Sequence, residues 1–383
     1  MMKRVILKTL PFVLFTFLCH SQTGSALKTI TIDSLMRAHI VHRGKKPVHN
    51  FLLYLKNEKT SFEIHRGVGT VGRNNTAIDA DYQYNVASIT KTMVAAVVLQ
   101  LFEEQKLDVK EPIKKYLEPI DFIRYHELHI YKGKPYQDKI TIAMLLNHTS
   151  GISDVFVDAE TRFNLSVLLH PKRMYTPQRF YKRYFRYNLN KKPANTPGKG
   201  YHYSDINYML LGFIIEHITK KPLQEVLRER ILEPLNMTNT YFEHYEEVHG
   251  HGKRIDAFMN SINITKRINT SYEWAGGGIV STTKEMALFI KALWEMTLFK
   301  NEGTLEMMLD ITATAKHDRQ YGLGIFKWNF DNKTFYGHGG FYGSILAYAP
   351  EHGIIISANI GQAFPSFSAN ELLNTVINIA SEK

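Results

Sequence analysis

The sequence predicts an α/β fold of the α+β type, with an antiparallel sheet flanked by helices and an inserted all-helical lobe. Alternating apolar segments separated by short turns lie near both ends of the 383-residue chain, and this pattern is typical of antiparallel hairpins. The long stretch between them has mainly helical periodicity. The simplest assembly joins the two β parts into one sheet and places the middle in a second lobe.

The N-terminal part of the prediction follows from three local patterns. A helix is expected to begin near Ile32, with Asp33 as its N-cap. Residues 48–67 then alternate as a strand, a turn and a returning strand. The run at residues 93–102 is apolar except for one glutamine, which predicts a buried helix.

The C-terminal part supplies the rest of the sheet. Four β segments between residues 321 and 360 precede a final helix at residues 369–382. The α/β lobe is therefore predicted to comprise residues 28–111 and 268–383. Residues 112–267 are predicted to form the inserted helical lobe.

The first 21 residues are predicted to be a secretory signal peptide. Lys3 and Arg4 precede an apolar run, residues 5–19, which is shorter than the ~20 residues that a membrane span needs. Cleavage is expected near Ser21. We therefore expect a soluble, exported protein, either periplasmic or secreted.

The cysteine content limits the chemistry. Cys19 is the only cysteine and lies in the predicted signal segment, so the rest of the chain has no thiol for a disulfide or a thiolate metal site. The sequence also shows no tight cluster of His, Asp and Glu with metal-ligand spacing. We expect neither a metal nor a cofactor.

The formal charge of +11 is concentrated in residues 170–200, which hold nine Lys or Arg and six Tyr or Phe. Such a composition can bind single-stranded nucleic acid, but export makes nucleic acid an unsuitable ligand. We expect instead an amphipathic helical hairpin with a basic outer face. A partner of this face would be an anionic envelope polymer or a membrane surface, and the protein is expected to be a monomer.

A polar pair interrupts the most apolar predicted helix. Ser88 and Lys91 stand three residues apart at its beginning, so their side chains share one helical face. A serine hydroxyl is a weak nucleophile that needs a base, and burial disfavours the charged form of an amine. A lysine on this helix must be desolvated or paired, which indicates nucleophilic catalysis.

The spacing alone is weak evidence, because the chain contains three Ser-x-x-Lys matches. Ser25 with Lys28 has no apolar helix after it. Ser281 with Lys284 opens a helix, where Thr282 and Glu285 are better explained as capping residues.

Several stretches in a fixed order resemble one family. They are residues 86–117, "NHTSG" at 147–151, "PGKGYHYSDINYMLLG" at 197–212, "AGGGIVST" at 275–282 and "YGHGG" at 336–340. They are similar to motifs of the serine β-lactamase and penicillin-binding protein superfamily, in particular its class C β-lactamase-like branch. The likeness covers nearly the whole chain after the signal segment.

The resemblance implies a two-lobed serine hydrolase that needs no metal. Ser88 would be the acylated nucleophile, and Lys91 would relay its proton. Tyr203 would work with Lys91 as general base and then as acid, since a nearby ammonium group favours phenolate. The backbone N–H groups of Ser88 and Phe341 would form the oxyanion hole.

Asp205, His338, Gly339 and Gly340 correspond to substrate-binding positions of the family. Asp205 replaces an Asn that binds the amide of a β-lactam or peptide, and an ionised Asp cannot donate that hydrogen bond. His338 and Gly339 stand where the family usually has Lys-Thr or His-Thr, and a neutral histidine anchors a carboxylate more weakly than lysine does. Both changes point away from an efficient β-lactamase.

The predicted reaction is acyl transfer through a Ser88 acyl-enzyme, with a small ester, an amide or a D-amino-acid cell-wall peptide as substrate. A D-alanyl-D-alanine carboxypeptidase, a D-aminopeptidase and a true β-lactamase are the alternatives within this chemistry. An alternative from another class is a low-turnover penicillin-binding or envelope-binding sensor module.

Overall fold

The computed structural model describes residues 12–72, 74–317 and 319–382. Residues 1–11 of the predicted signal peptide lie outside the described residues, and residues 12–21 fall within the first helix. Across the described ranges, no helix combines the length and the apolar character needed to cross a membrane.

The strands are short in the middle of the chain and longer near its ends. They are β1 (Asn50–Asn57), β2 (Phe62–Val71), β3 (Thr76–Ala77), β4 (Tyr84–Asn85), β5 (Ile130–Tyr131), β6 (Lys134–Pro135), β7 (Tyr241–Phe242), β8 (Phe258–Met259), β9 (Ile262–Asn263), β10 (Ile279–Ser281), β11 (Phe326–Phe330), β12 (Lys333–Gly340), β13 (Ser344–Ala349) and β14 (Ile354–Asn359).

Helices precede, separate and follow these strands. They are α1 (Phe12–Ala38), α2 (Thr90–Glu103), α3 (Lys114–Leu117), α4 (Ile142–Leu146), α5 (Glu160–Leu169), α6 (Pro177–Arg186), α7 (Asp205–Thr219), α8 (Leu223–Leu227), α9 (Ile264–Arg267), α10 (Trp274–Gly277), α11 (Thr283–Trp294), α12 (Glu302–Leu309), α13 (Thr312–Ala315) and α14 (Ala369–Ser381).

The predicted antiparallel sheet is confirmed. Its strands follow the order β11-β12-β13-β14-β1-β2-β3, and each neighbouring pair is antiparallel. β1 lies beside β14, with Leu53 opposite Ala358. The N-terminal hairpin and the C-terminal meander therefore form one sheet, as the sequence predicts.

Alternation along β1 gives this sheet two apolar faces. Phe51, Leu53 and Leu55 belong to one core with residues of α1 and α14, whereas Leu52 and Tyr54 belong to a second core that includes α2, α7 and α11. Most of α2 is buried, and it contacts α7 and α10. The polar residues at the start of α2 are thus held between the sheet side and the helical side of the molecule.

Two local predictions are wrong. The first helix does not begin near Ile32, because α1 continues through that region and Asp33 pairs with Arg37 at 2.7 Å inside it. The middle is also not purely helical, since β5 pairs with β6 and β8 with β9. Its strand β7 also joins β10 and β4 in a small separate sheet. Strands of two or three residues are too short to show alternation in the sequence. The division into two lobes stays a prediction.

Candidate active site

Ser88 lies in a 3₁₀ turn, Ala87–Ile89, immediately before α2. Ala87 has a φ of 49°, a left-handed conformation that is uncommon for a residue with a side chain. The end of β12 packs closely on this turn, because a Cβ atom at Gly340 would lie 2.2 Å from the Val86 carbonyl oxygen. The turn holds the half-buried Ser88 at the N-terminal end of a buried helix.

Lys91 is fully buried, and its ammonium group has three acceptors. Its Nζ donates to Ser88 Oγ at 3.0 Å, to Asp205 Oδ1 at 2.6 Å and to the Gly276 carbonyl oxygen at 2.7 Å. An ammonium group has three protons, so each proton has a partner. The sequence requires this lysine to be desolvated or paired; it is both, and Asp205 supplies the opposite charge.

Steric crowding explains why a glycine stands at position 276, in the glycine-rich stretch before β10. A Cβ atom at Gly276 would lie 2.4 Å from Asp205 Oδ1. Any side chain there would displace the carboxylate that pairs with Lys91. Gly276 therefore allows one short segment to supply a carbonyl acceptor and to leave room for the ion pair.

Tyr203 precedes α7 and lies beside the lysine, with 5.0 Å between Lys91 Nζ and the ring centroid. Burial raises the pKa of Tyr203 well above its ordinary value, the Asp205 charge raises it further, and the nearby Ser88 hydroxyl opposes both. Burial and the Asp205 charge thus favour the neutral phenol in the resting site, and the role of Tyr203 as general base stays a prediction.

Tyr203 is supported by an imidazole that the sequence alone does not single out. The rings of His148 and Tyr203 have centroids 4.2 Å apart and planes inclined by 30°. The Ser204 N–H donates to His148 Nδ1 at 3.1 Å. Burial, followed by the Lys91 charge, lowers the pKa of His148 well below its ordinary value. His148 is thus a neutral group that positions Tyr203.

Two further carboxyl groups surround the ion pair, and sequence reasoning missed both. Asp154 is buried and accepts the Asp205 N–H at 2.5 Å; burial and then the Asp205 charge raise its pKa. Glu273 accepts from the Tyr342 hydroxyl at 2.5 Å. Burial raises the pKa of Glu273 to about 8, with the Tyr342 hydrogen bond opposing the shift. One lysine therefore lies among three carboxyl groups.

His338 lies on β12 and is 2% exposed. Its Nδ1 is 2.7 Å from the Gly339 carbonyl oxygen, so Nδ1 carries the proton, and Nε2 accepts from the Tyr321 hydroxyl at 3.0 Å. Burial, and next the Lys91 charge, lower the pKa of His338 to about 3. The centroid of the His338 ring is 6.4 Å from the centroid of the Tyr203 ring. A neutral histidine therefore lies beside the Tyr203 ring.

The glycines after His338 bring β12 to the nucleophile turn. Gly339 pairs with Ile345 and Gly340 with Ser344. Phe341 follows Gly340 directly, and its side chain is 48% exposed. Its N–H therefore lies one residue beyond the contact between Gly340 and the Ser88 turn, and its part in an oxyanion hole stays a prediction.

The geometry supports nucleophilic chemistry at Ser88. The Ser88 hydroxyl accepts a hydrogen bond from Lys91 and has the Tyr203 phenol near it, and both of these groups can move a proton. The structure brings these three residues and Asp205 into one connected set, with His338 and the end of β12 beside it. Ser88 and Lys91 come from the region where α2 begins, Tyr203 and Asp205 from the region where α7 begins, and His338 from β12.

A protein-family model described as Beta-lactamase matches residues 32–373. The chain is 26% identical over 322 residues to an N-acetylmuramyl-L-alanine amidase of Bacillus subtilis, which covers 72% of this chain and 66% of that protein. It is 27% identical over 310 residues to a putative D-alanyl-D-alanine carboxypeptidase of Salmonella paratyphi A, which covers 70% and 66%. The chain thus spans less than two thirds of the length of these relatives.

The fold is similar to that of a D-amino acid amidase from Ochrobactrum anthropi, solved with L-phenylalanine amide. The TM-score is 0.73 at 21% sequence identity, with 92% of this chain and 98% of that chain covered. At this identity the likeness concerns the fold alone.

Proposed function

The chain belongs to the beta-lactamase family, and from this premise we propose that it cleaves small amides and esters, including those of D-amino acids, through an acyl-enzyme on Ser88. Membership of the family makes it a serine hydrolase. The observation that carries the finer proposal is the 3.0 Å contact between Lys91 Nζ and Ser88 Oγ within a buried ion pair.

In the proposed reaction, Ser88 Oγ attacks the acyl carbon while its proton moves to the ionised form of Tyr203. The N–H groups of Ser88 and Phe341 hold the tetrahedral oxyanion. Collapse breaks the bond to the amine or alcohol, which leaves with the proton from Tyr203. Water then attacks the acyl-enzyme with Tyr203 again as base, which releases the acid and restores Ser88.

Lys91 remains paired with Asp205 throughout this scheme and stabilises the negative charge that passes between Ser88 and Tyr203. The scheme requires phenolate, although burial and Asp205 favour the neutral phenol. Turnover should therefore increase with pH as the ionised fraction of Tyr203 increases.

We expect Asp205→Asn to move the rising limb of the pH–rate profile to lower pH, by about one unit. The Asp205 charge raises the pKa of Tyr203, so removal of this charge lowers that pKa and increases phenolate at a given pH. The measurement is kcat/KM for an activated ester from about pH 6 to 10, with Asp138→Asn, at an exposed carboxylate, as control. An unchanged limb, or one displaced to higher pH, would argue against Tyr203 as the base.

The groups around the nucleophile support substrates without a carboxylate beside the scissile bond. Lys91 is fully hydrogen-bonded and its charge is paired with Asp205. His338 cannot supply a positive charge near neutral pH, because its pKa is lowered to about 3. A substrate carboxylate would therefore find no free cation among these residues, whereas a neutral group needs none.

A D-alanyl-D-alanine carboxypeptidase is the second candidate, since a relative aligned over 70% of this chain bears that name. Such an enzyme must bind a substrate that ends in a carboxylate. The two candidates therefore differ in the charge next to the scissile bond.

The substrate class is tested by comparing kcat/KM for D- and L-amino-acid anilides, an activated ester, a peptide ending in D-Ala-D-Ala and a penicillin. We expect the D-anilide and the ester to be cleaved, and the D-Ala-D-Ala peptide to react at least about tenfold more slowly, as for a missing ionic contact. Faster cleavage of that peptide would select the carboxypeptidase. A lasting penicillin adduct without turnover of any substrate would support the sensor alternative and contradict the proposal.

Export is part of the proposal and rests on the N-terminal pattern of two basic residues followed by a short apolar run. Expression with its native N-terminus and N-terminal sequencing of the protein from the medium or periplasm would test it. Cleavage near Ser21 is the expected result, and retention of the intact segment in the cytoplasm would contradict it.

A further inference from the structure

Helix α5 is apolar on two opposite faces. Phe163 and Val167 are buried, and the Phe163 ring packs edge-on against Phe180 of α6, with centroids 5.8 Å apart. The opposite side carries three leucines at positions i, i+3 and i+4, which adjoin on a helix. This leucine face consists of Leu165, Leu168 and Leu169, which are 56%, 61% and 65% exposed. A helix on the surface of a soluble protein normally presents polar side chains there.

A basic region adjoins the leucine face. Residues 161–200 contain ten Lys or Arg and no Asp or Glu, and so supply +10 of the formal net charge of +11. The connection from α5 to α6 carries the exposed residues Lys172, Arg173 and Met174. Residues 170–200 contain one α-helix, α6, and not the predicted helical hairpin. The outer face is basic as predicted, because α6 buries its aromatic residues and exposes Arg179, Lys182 and Arg186.

These cations are available to a partner. In the described part of the chain, none of the exposed Lys or Arg of residues 161–200 lies within 4.0 Å of a carboxylate. The connection is nevertheless ordered by local contacts. Lys172 Nζ donates to the Lys266 carbonyl oxygen at 2.5 Å, and Met174 Sδ lies 3.9 Å from Asn269 Nδ2. The exposed apolar and basic groups thus lie on a packed surface.

We propose that the leucine face and its flanking cations are a docking surface for an anionic lipid bilayer. Peripheral helices bind bilayers by placing apolar side chains at the boundary between headgroups and acyl chains, while Lys and Arg meet anionic headgroups. A dissolved anionic polymer would engage the cations but leave the leucines in water. A bilayer accounts for both features.

The docking surface and the catalytic residues are connected through one short segment, residues 271–276. The Tyr175 N–H, one residue after Met174, donates to Ser271 Oγ at 2.7 Å. Five residues later, the Gly276 carbonyl oxygen accepts from Lys91.

The test is sedimentation of the full chain with vesicles of phosphatidylcholine alone and with about 30% phosphatidylglycerol. We expect binding to the anionic vesicles that decreases as salt is raised. Replacement of all three leucines of the face by serine should weaken binding at least about fivefold. The matched control is Leu288→Ser, which changes a leucine that is 45% exposed on α11.

A second pair of variants separates charge from apolar contact. Lys172→Gln with Arg173→Gln should weaken binding to anionic vesicles, whereas Lys45→Gln with Lys46→Gln, at exposed positions elsewhere, should not. Turnover of a soluble ester should stay within about twofold in the triple serine variant, because its leucines do not touch the site. Undiminished vesicle binding by that variant would overturn the proposal, as would no vesicle binding by the parent. Equal binding of polyphosphate by parent and triple variant, without vesicle binding, would identify a polymer-binding surface instead.

Discussion

Ser88→Ala is expected to abolish turnover, by at least about 10⁴-fold, and to leave the protein folded. The substitution removes the atom that attacks the acyl carbon of the substrate in the proposed reaction. Ser88 is half-buried and small, and its hydroxyl accepts a hydrogen bond from Lys91. Because alanine removes this hydrogen bond and leaves the packing of the turn in place, the free energy of unfolding should change by about 1 kcal/mol. Ester kinetics and denaturant unfolding of the same preparations measure both quantities.

The chain supplies its own control for this prediction. Ser25 and Lys28 repeat the Ser-x-x-Lys spacing on α1, far from the site in sequence. Ser25→Ala should keep full activity, since this serine is exposed and contacts none of the catalytic residues described. Activity of Ser88→Ala equal to that of Ser25→Ala would remove Ser88 from the mechanism.

Lys91→Met is expected to lower turnover by about 10³-fold and also to destabilise the protein by about 3 kcal/mol. Methionine fits the space of a buried lysine but leaves the Asp205 carboxylate without its cation. Asp205 would then lie beside Asp154, which accepts its N–H, with Glu273 adding to the same region. An unpaired carboxylate in such surroundings is costly.

The double variant Lys91→Met with Asp205→Asn separates these two effects. Removal of the negative charge together with the positive one should restore most of the stability of the parent, because no unpaired ion remains. Turnover should stay low, because the ammonium group is still missing. Recovery of activity along with stability would show that Lys91 serves the fold and has no part in the chemistry.

The contacts within one helix were the easiest to predict. Ser88 and Lys91 are three residues apart, so helical geometry alone places their side chains together. Tyr203 needed the family resemblance, since nothing local distinguishes it from the chain's other tyrosines. The capping interpretation of the third Ser-x-x-Lys match is confirmed, because the Thr282 hydroxyl accepts the Glu285 N–H at 3.3 Å.

The electrostatic partners were missed because they are distant in sequence. Asp205 is 114 residues from Lys91, and Gly276 is 185 residues from it. No motif or spacing in the sequence distinguishes Asp154 or Glu273 from other acidic residues. Only the fold shows that both are removed from water beside the ion pair. The burial of Tyr203 and its proximity to the Asp205 charge, which together raise the pKa of its phenol, were likewise not visible in the sequence.

Among the strands, too, the long ones could be predicted from local patterns and the short ones could not. The two ends of the chain have strands of five to ten residues, long enough for alternation to be visible, and their union through β1 and β14 was predicted correctly. β4 and β7 have two residues each, and they pair with β10 across long stretches of chain. Such short strands are determined by tertiary packing, which a local pattern does not contain.

The most direct test of the central claim is intact-protein mass spectrometry of the parent and Ser88→Ala, quenched within minutes of mixing with an activated ester and, separately, with a penicillin. We expect a transient adduct of one acyl group from the ester, located on the peptide that contains Ser88 and missing from Ser88→Ala. We expect no lasting penicillin adduct. Acylation of Ser88→Ala to the same extent, or ester hydrolysis by the parent with the acyl group only on another residue, would contradict the assignment of Ser88 as the nucleophile.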